Sequence, residues 1–122
     1  MRILILEDDF LTALDIKSII ESAIDADIVM CASVRSAKDK LAERFDFAFL
    51  DVDVTDGKSF EIAEYLLGIG TPFVFVSGST ADALPSGLKG QQFVSKPFTQ
   101  QILLNILEAR SFSRDQLEAQ AS

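Results

Sequence analysis

The chain of 122 residues suits one domain with a real core, and not two. Lys plus Arg number 11 against 19 Asp plus Glu, a formal charge of −8, which argues against nucleic acid and anionic lipid as ligands. With no histidine and one cysteine, the chain cannot be a histidine kinase, a His-based hydrolase or a His-ligated zinc enzyme, and it holds neither an intramolecular disulfide nor a cysteine-rich metal site.

No run of about 18 apolar residues suggests a membrane span. The start, MRILILEDD, meets acids too early for a secretory signal. A cytoplasmic location is expected.

In chain order, RILIL at 2–6 predicts the first strand. A helix follows, with Ile16, Ile19, Ile20, Ala23 and Ile24 on one face and Asp9 as its cap. DIVMCA at 27–32 is the second strand, where Cys31 reads as a small buried hydrophobe. The next helix carries Val34, Ala37, Leu41 and Phe45, and Ser36 with Asp39 suggests a capping box. FAFL at 47–50 is the third strand. Phe60, Ala63 and Leu67 predict a third helix face, stopped by Gly68 and Gly70 with Pro72 beyond. PFVFV at 72–76 and QFVS at 92–95 are the fourth and fifth strands.

Between those two strands, STADALPSGLKGQ at 79–91 carries Pro85, Gly87 and Gly90. Proline in a helix interior costs ~3 kcal/mol and glycine ~1 kcal/mol, so a short turn near 80–84 and then irregular chain is expected. The segment is expected to be mobile at rest and to become ordered in an active state. The last helix shows Ile102, Leu103, Ile106 and Leu107, capped by Thr99. Residues 1–110 are read as the domain and 111–122 as a polar helix extension or frayed tail.

The apolar runs are mostly unbroken, which fits strands covered on both faces. Strands alternating with helices predict an α/β domain, a doubly wound five-stranded parallel sheet of flavodoxin type, order 2-1-3-4-5. About five helices are expected, the fourth short or irregular.

Such sheets bind ligands beyond the carboxyl ends of their strands. The first strand ends in Glu7 and Asp8, the third in Asp51, the fourth in Ser77 and the fifth in Lys96. Three crowded carboxylates resist burial unless a cation joins them, and hard oxygen donors with room for water suit Mg²⁺. With Mg²⁺ and Lys96 balancing charge, Asp51 could carry a phosphoryl group, to which Ser77 could donate a hydrogen bond.

The acid pair in ILILEDD, the acceptor in FLDVDVTDG, the hydroxyl in FVFVSG and the lysine in FVSKPF, in that order, resemble the receiver domain of two-component response regulators over roughly residues 1–110. The resemblance implies Asp51 as phosphoryl acceptor, with Ser77 and Lys96 contacting the phosphate. Glu7, Asp8, Asp51 and the backbone carbonyl of Asp53 would surround Mg²⁺. Ser77 and Phe93 would act as switch residues, and the Lys96–Pro97 bond would be cis. The expected function is a single-domain regulator in a phosphorelay, a cytoplasmic phosphoprotein and not an enzyme beyond its own phosphorylation and slow dephosphorylation. Its partners would be a sensor histidine kinase or histidine phosphotransfer protein, and a downstream protein target.

Thr55, where many relatives have proline, and Gly78 depart from the common pattern. A subgroup with an aromatic-rich fourth strand, glycine after the hydroxyl residue and a weak fourth helix is similar. Two other readings stay open. One is a degenerate receiver that binds partners without phosphorylation. The other is a haloacid-dehalogenase-type phosphatase, because DVDVT at 51–55 fits D-x-D-x-T. That family needs metal acids after its lysine, and downstream of Lys96 only Glu108, Asp115 and Glu118 are available.

Overall fold

The five apolar runs pair into one parallel sheet. In the computed structural model, which describes residues 1–121 with side chains to residue 110, the elements are β1 (Arg2–Leu6), α1 (Phe10–Ala23), β2 (Asp27–Cys31), α2 (Val34–Lys40), β3 (Phe47–Leu50), β4 (Asp53–Val54), β5 (Gly57–Lys58), α3 (Phe60–Ile69), β6 (Phe73–Ser77), β7 (Phe93–Ser95) and α4 (Gln100–Ala121). The main sheet has the order β2-β1-β3-β6-β7, all parallel. This is the expected 2-1-3-4-5 arrangement, because β4 and β5 pair only with each other in a small antiparallel hairpin.

Unbroken apolar strands can serve two cores at once, since successive side chains face opposite sides of a sheet. Leu4, Leu6, Ala48, Leu50 and Phe75 enter a core under α2 and α3. Ile3, Ile5, Phe47, Phe49 and Val76 enter the other, under α1 and α4. The strand β2 lies at the sheet edge, so Ile28 and Val29 are only partly covered and Met30 is exposed. Cys31 is buried, and burial pushes its thiol pKa up.

Helix boundaries follow local chemistry. Asp9 caps α1 by accepting from the Leu11 amide, and Thr99 Oγ1 accepts from the Ile102 amide at 3.2 Å. Gly70 ends α3 at φ 80°, a left-handed conformation that favours glycine, whereas Gly68 lies inside the helix.

Three expectations need correction. The capping box of α2 is formed by Ser33 and Ser36, not Ser36 and Asp39, and the helix stops at Lys40, leaving Phe45 buried beyond it. The buried face of α3 is Ile62, Ala63 and Leu66, with Leu67 exposed, because both sides of Leu66–Leu67 are apolar and periodicity alone does not choose between them. The hairpin of β4 and β5 was not anticipated; its signal is Asp56-Gly57, with Gly57 at φ 137°.

No α-helix forms between β6 and β7. Two 3-10 turns, Ala81–Ala83 and Ser86–Leu88, replace it. The stretch is irregular, as Pro85, Gly87 and Gly90 demand. Leu84 and Leu88 anchor it, buried in the core beneath α3. Leu88→Ala is expected to lower stability by about 2–4 kcal/mol, read as a reduced urea midpoint, since a fully covered leucine leaves a cavity when truncated. A change within ±0.5 kcal/mol would show that the turn does not contribute to the core.

Among the described residues no helix is long and apolar enough to cross a membrane. The proposed division near residue 110 falls within α4, where side chains beyond that point lie outside the described residues.

Candidate functional site

Parallel pairing aligns the strand ends, and so aligns the groups that follow them. The Glu7 amide donates to the carbonyl of Cys31, the Asp51 amide to that of Leu6 and the Lys96 amide to that of Ser77, each at 2.9 Å. These bonds extend the sheet by one residue at β1, β3 and β7. They put two acids, a hydroxyl residue and a lysine on one rim, at the carboxyl edge.

Glu7, Asp8 and Asp51 each offer a carboxylate oxygen, and the three oxygens lie within 4.8 Å of one another. Glu7 and Asp51 are buried, while Asp8 is exposed and faces water. The Lys96 amine bridges the two buried acids, donating to Glu7 Oε1 and, at 3.0 Å, to Asp51 Oδ2. The expected grouping of Glu7, Asp8, Asp51 and Lys96 is thus present in space.

The electrostatics are those of two carboxylates sharing one ammonium. Burial pushes Glu7 up to about 7; the hydrogen bond from Lys96 pulls it down, and the neighbouring Asp51 adds to the rise. For Lys96, burial alone lowers the pKa, but hydrogen bonds and charge from Glu7 and Asp51 outweigh it and hold the amine above its ordinary value. The site is therefore short of positive charge. Hard oxygen donors, one of them open to water, fit Mg²⁺, which takes few protein carboxylates and keeps its waters.

Asp53 does not join the carboxylate group with its side chain. Its carboxylate takes the Lys58 amine on one oxygen and the Ser79 hydroxyl on the other, the latter at 2.7 Å. Lys58, and then Ser79, hold it below the usual carboxylate range.

Ser77 ends β6, fully buried, and its Oγ accepts from the Ser79 amide at 3.1 Å. Phe93 is half-buried and tilted against Phe75, with ring centroids 6.2 Å apart. It sits in β7 behind the rim and is not one of the groups that meet. The Lys96–Pro97 bond is cis.

The hairpin supplies contacts that sequence reasoning missed. Thr55 Oγ1 donates to Asp8 Oδ2 at 3.3 Å. Asp56 accepts from the Val34 and Arg35 amides, at 2.8 and 3.1 Å, at the start of α2. Ser79 joins Asp53 across the gap to the irregular segment. Only the turn chemistry of Asp56-Gly57 hinted at this hairpin; nothing local pairs Ser79 with Asp53, which are 26 residues apart.

No family model and no curated protein matches the sequence. Solved structures do. The response regulatory domain of protein mrkE from Klebsiella pneumoniae is similar at TM-score 0.83 and 19% identity, over 95% of this chain and 99% of that one. A CheY-like response regulator receiver domain protein from Methanospirillum hungatei JF-1 is similar at TM-score 0.80 and 21% identity, over 94% and 96%. SdrG from Sphingomonas melonis Fr1 is similar at TM-score 0.77 and 29% identity, over 90% and 95%.

Proposed function

We propose that this chain, which has the fold of response regulator receiver domains, is a single-domain response regulator that takes a phosphoryl group on Asp51. The observation that carries the reading is the meeting of Glu7, Asp8 and Asp51 at the carboxyl edge of the sheet, with the Lys96 amine bridging Glu7 and Asp51.

The chemistry is a displacement at phosphorus. An Asp51 carboxylate oxygen attacks the phosphorus of a phosphohistidine on a histidine kinase or phosphotransfer protein. The P–N bond breaks, its electron pair returns to the imidazole nitrogen, and an acyl phosphate forms. Mg²⁺, held by Glu7, Asp8, Asp51 and the Asp53 carbonyl, would neutralise charge on the phosphoryl oxygens. Lys96 is placed to shift from the carboxylates to a phosphate oxygen, and Ser77 to turn its O–H toward another. Water later attacks the phosphorus, the bond to the Asp51 oxygen breaks, inorganic phosphate leaves and Asp51 returns to its carboxylate.

Phe10, Leu11 and Leu14 are exposed at the start of α1, next to the acids, and give a protein donor an apolar footing. Ser77 and Phe93 then bias a two-state surface formed by 79–91, β7 and α4 toward a downstream protein. The two turns in place of a fourth helix fit the receiver subgroup with a weak fourth helix.

Acetyl phosphate with Mg²⁺ tests the reading. Addition of one phosphoryl mass to the intact protein, mapped to Asp51, is expected. No label would favour an interaction module without phosphorylation. Sustained turnover of a generic phosphate monoester would favour a phosphatase; against it, the acids that meet Asp51 lie upstream, on β1.

The functional unit is residues 1–110. Removing 111–122 is expected to leave labelling and the melting temperature unchanged, as thermal melts with and without acetyl phosphate would read. Loss of the folded transition would place those residues in the domain.

A further inference from the structure

The segment between β6 and β7 is tied down by more than its two buried leucines. Directly after Ser77 and the exposed Gly78, Ser79 donates two hydrogen bonds. Its amide donates to Ser77 Oγ at 3.1 Å and its hydroxyl to Asp53 Oδ2 at 2.7 Å. The second oxygen of Asp53 is taken by Lys58, which belongs to the same hairpin. A half-buried serine thus joins the hairpin, the buried hydroxyl at the end of β6, and the start of the irregular segment. Bonds to charged acceptors are stronger than neutral ones.

The two bonds are linked through one residue. The amide bond fixes the backbone of Ser79 relative to Ser77, and that position delivers the hydroxyl to Asp53. Here Ser77 acts as acceptor, so its own O–H proton remains to be donated. A rotation of Ser77 about χ1 carries its oxygen to a new position, and so breaks the bond from the Ser79 amide.

We infer that Ser79 latches the segment 79–91 to the β4–β5 hairpin in the resting protein, and that the latch opens when the Ser77 hydroxyl turns away from the Ser79 amide. The latch itself stands on the hydrogen bonds alone. Its opening rests on the proposed role of Ser77 toward a phosphoryl group.

Amide hydrogen exchange of the full chain tests both halves. Without metal or phosphodonor, Ser79→Ala is expected to speed exchange of amides 80–91 roughly three- to tenfold, with β1 and β3 unchanged. Asp53→Ala should do the same, the double variant should add nothing, and Ser79→Thr should restore wild-type rates. Wild-type exchange in Ser79→Ala would overturn the latch.

For the opening, beryllofluoride with Mg²⁺ should bring wild-type exchange of 80–91 to the rate of Ser79→Ala, and should add nothing in that variant. Unchanged exchange while the Asp51 amide resonance reports the bound analogue would overturn the opening alone. No binding of the analogue would overturn both the phosphoryl-acceptor reading and the opening, and leave the latch standing.

Discussion

Asparagine in place of Asp51 is expected to abolish labelling by acetyl phosphate with Mg²⁺, and alanine in place of Lys96 to slow it about 100-fold without abolishing it. The difference follows from what each group does. An amide nitrogen or oxygen of asparagine is no substitute for a carboxylate oxygen as nucleophile, so the P–O bond cannot form at that position. In the proposed reaction Lys96 would form no bond to phosphorus and would neutralise charge. Its amine now sits on Glu7 and on Asp51 at 3.0 Å, and it would follow the charge to the phosphoryl group.

Lys96→Ala should therefore also uncouple labelling from any change in amide exchange at 79–91, since the cation that draws the rim together is gone. The measurement is intact-protein mass against time for wild type and both variants. Full labelling of Asp51→Asn would refute Asp51 as acceptor. Wild-type rates in Lys96→Ala would remove the lysine from the site.

Metal-free protein is expected to lose stability as pH rises from about 4.5 to about 7, and Glu7→Gln to remove that slope. A glutamate ordinarily titrates at 4.5, and burial lifts Glu7 to about 7 in the folded chain. A carboxyl raised on folding holds its proton better in the folded state, so its contribution is complete below 4.5 and is lost on the way to about 7. Lys96, raised above its ordinary 10.5, stays charged throughout this window and adds no slope.

The shift itself corresponds to roughly 3 kcal/mol. Solvent access through the open rim screens part of it, which leaves about 1–2 kcal/mol. Urea titrations at pH 4.5, 6 and 8 in the presence of a chelator would read this as a falling midpoint for wild type and a nearly flat one for Glu7→Gln. Mg²⁺ should raise the wild-type midpoint more at pH 8 than at pH 4.5, because ion and proton compete for the same carboxylates. A wild-type midpoint that rises from pH 4.5 to 8 without metal, or an equal slope in Glu7→Gln, would sink the account of Glu7.

Much of this was readable from residue order. Unbroken apolar runs announced strands covered on both faces, and the residue after each run named the rim: Glu7, Asp51, Ser77 and, by way of β7, Lys96. Breakers at Pro85, Gly87 and Gly90 spoke against a full helix between the fourth and fifth strands. Such signals are local: a run of apolar side chains, a ring that lacks an amide proton, a missing Cβ.

What stayed hidden depends on contacts between distant parts of the chain. Which face of α3 turns inward was ambiguous, because Leu66 and Leu67 are equally apolar and only the sheet beneath them selects Leu66. Ser33 rather than Ser36 caps the start of α2, in company with Asp56 of the hairpin, 22 residues beyond Val34. Asp53 turned its side chain to Lys58 and Ser79, partners that its own neighbourhood did not single out.

The divide has one physical cause. Hydrophobic periodicity and backbone restrictions act within a few residues, so the chain's own order carries the strands, the rim acids and the broken crossover. A hydrogen bond or a packed face is settled by which surfaces the folded sheet brings into reach. The grip of Lys96 on Glu7 and the tie from Ser79 to Asp53 arise only once β1, β3, β6 and β7 lie side by side.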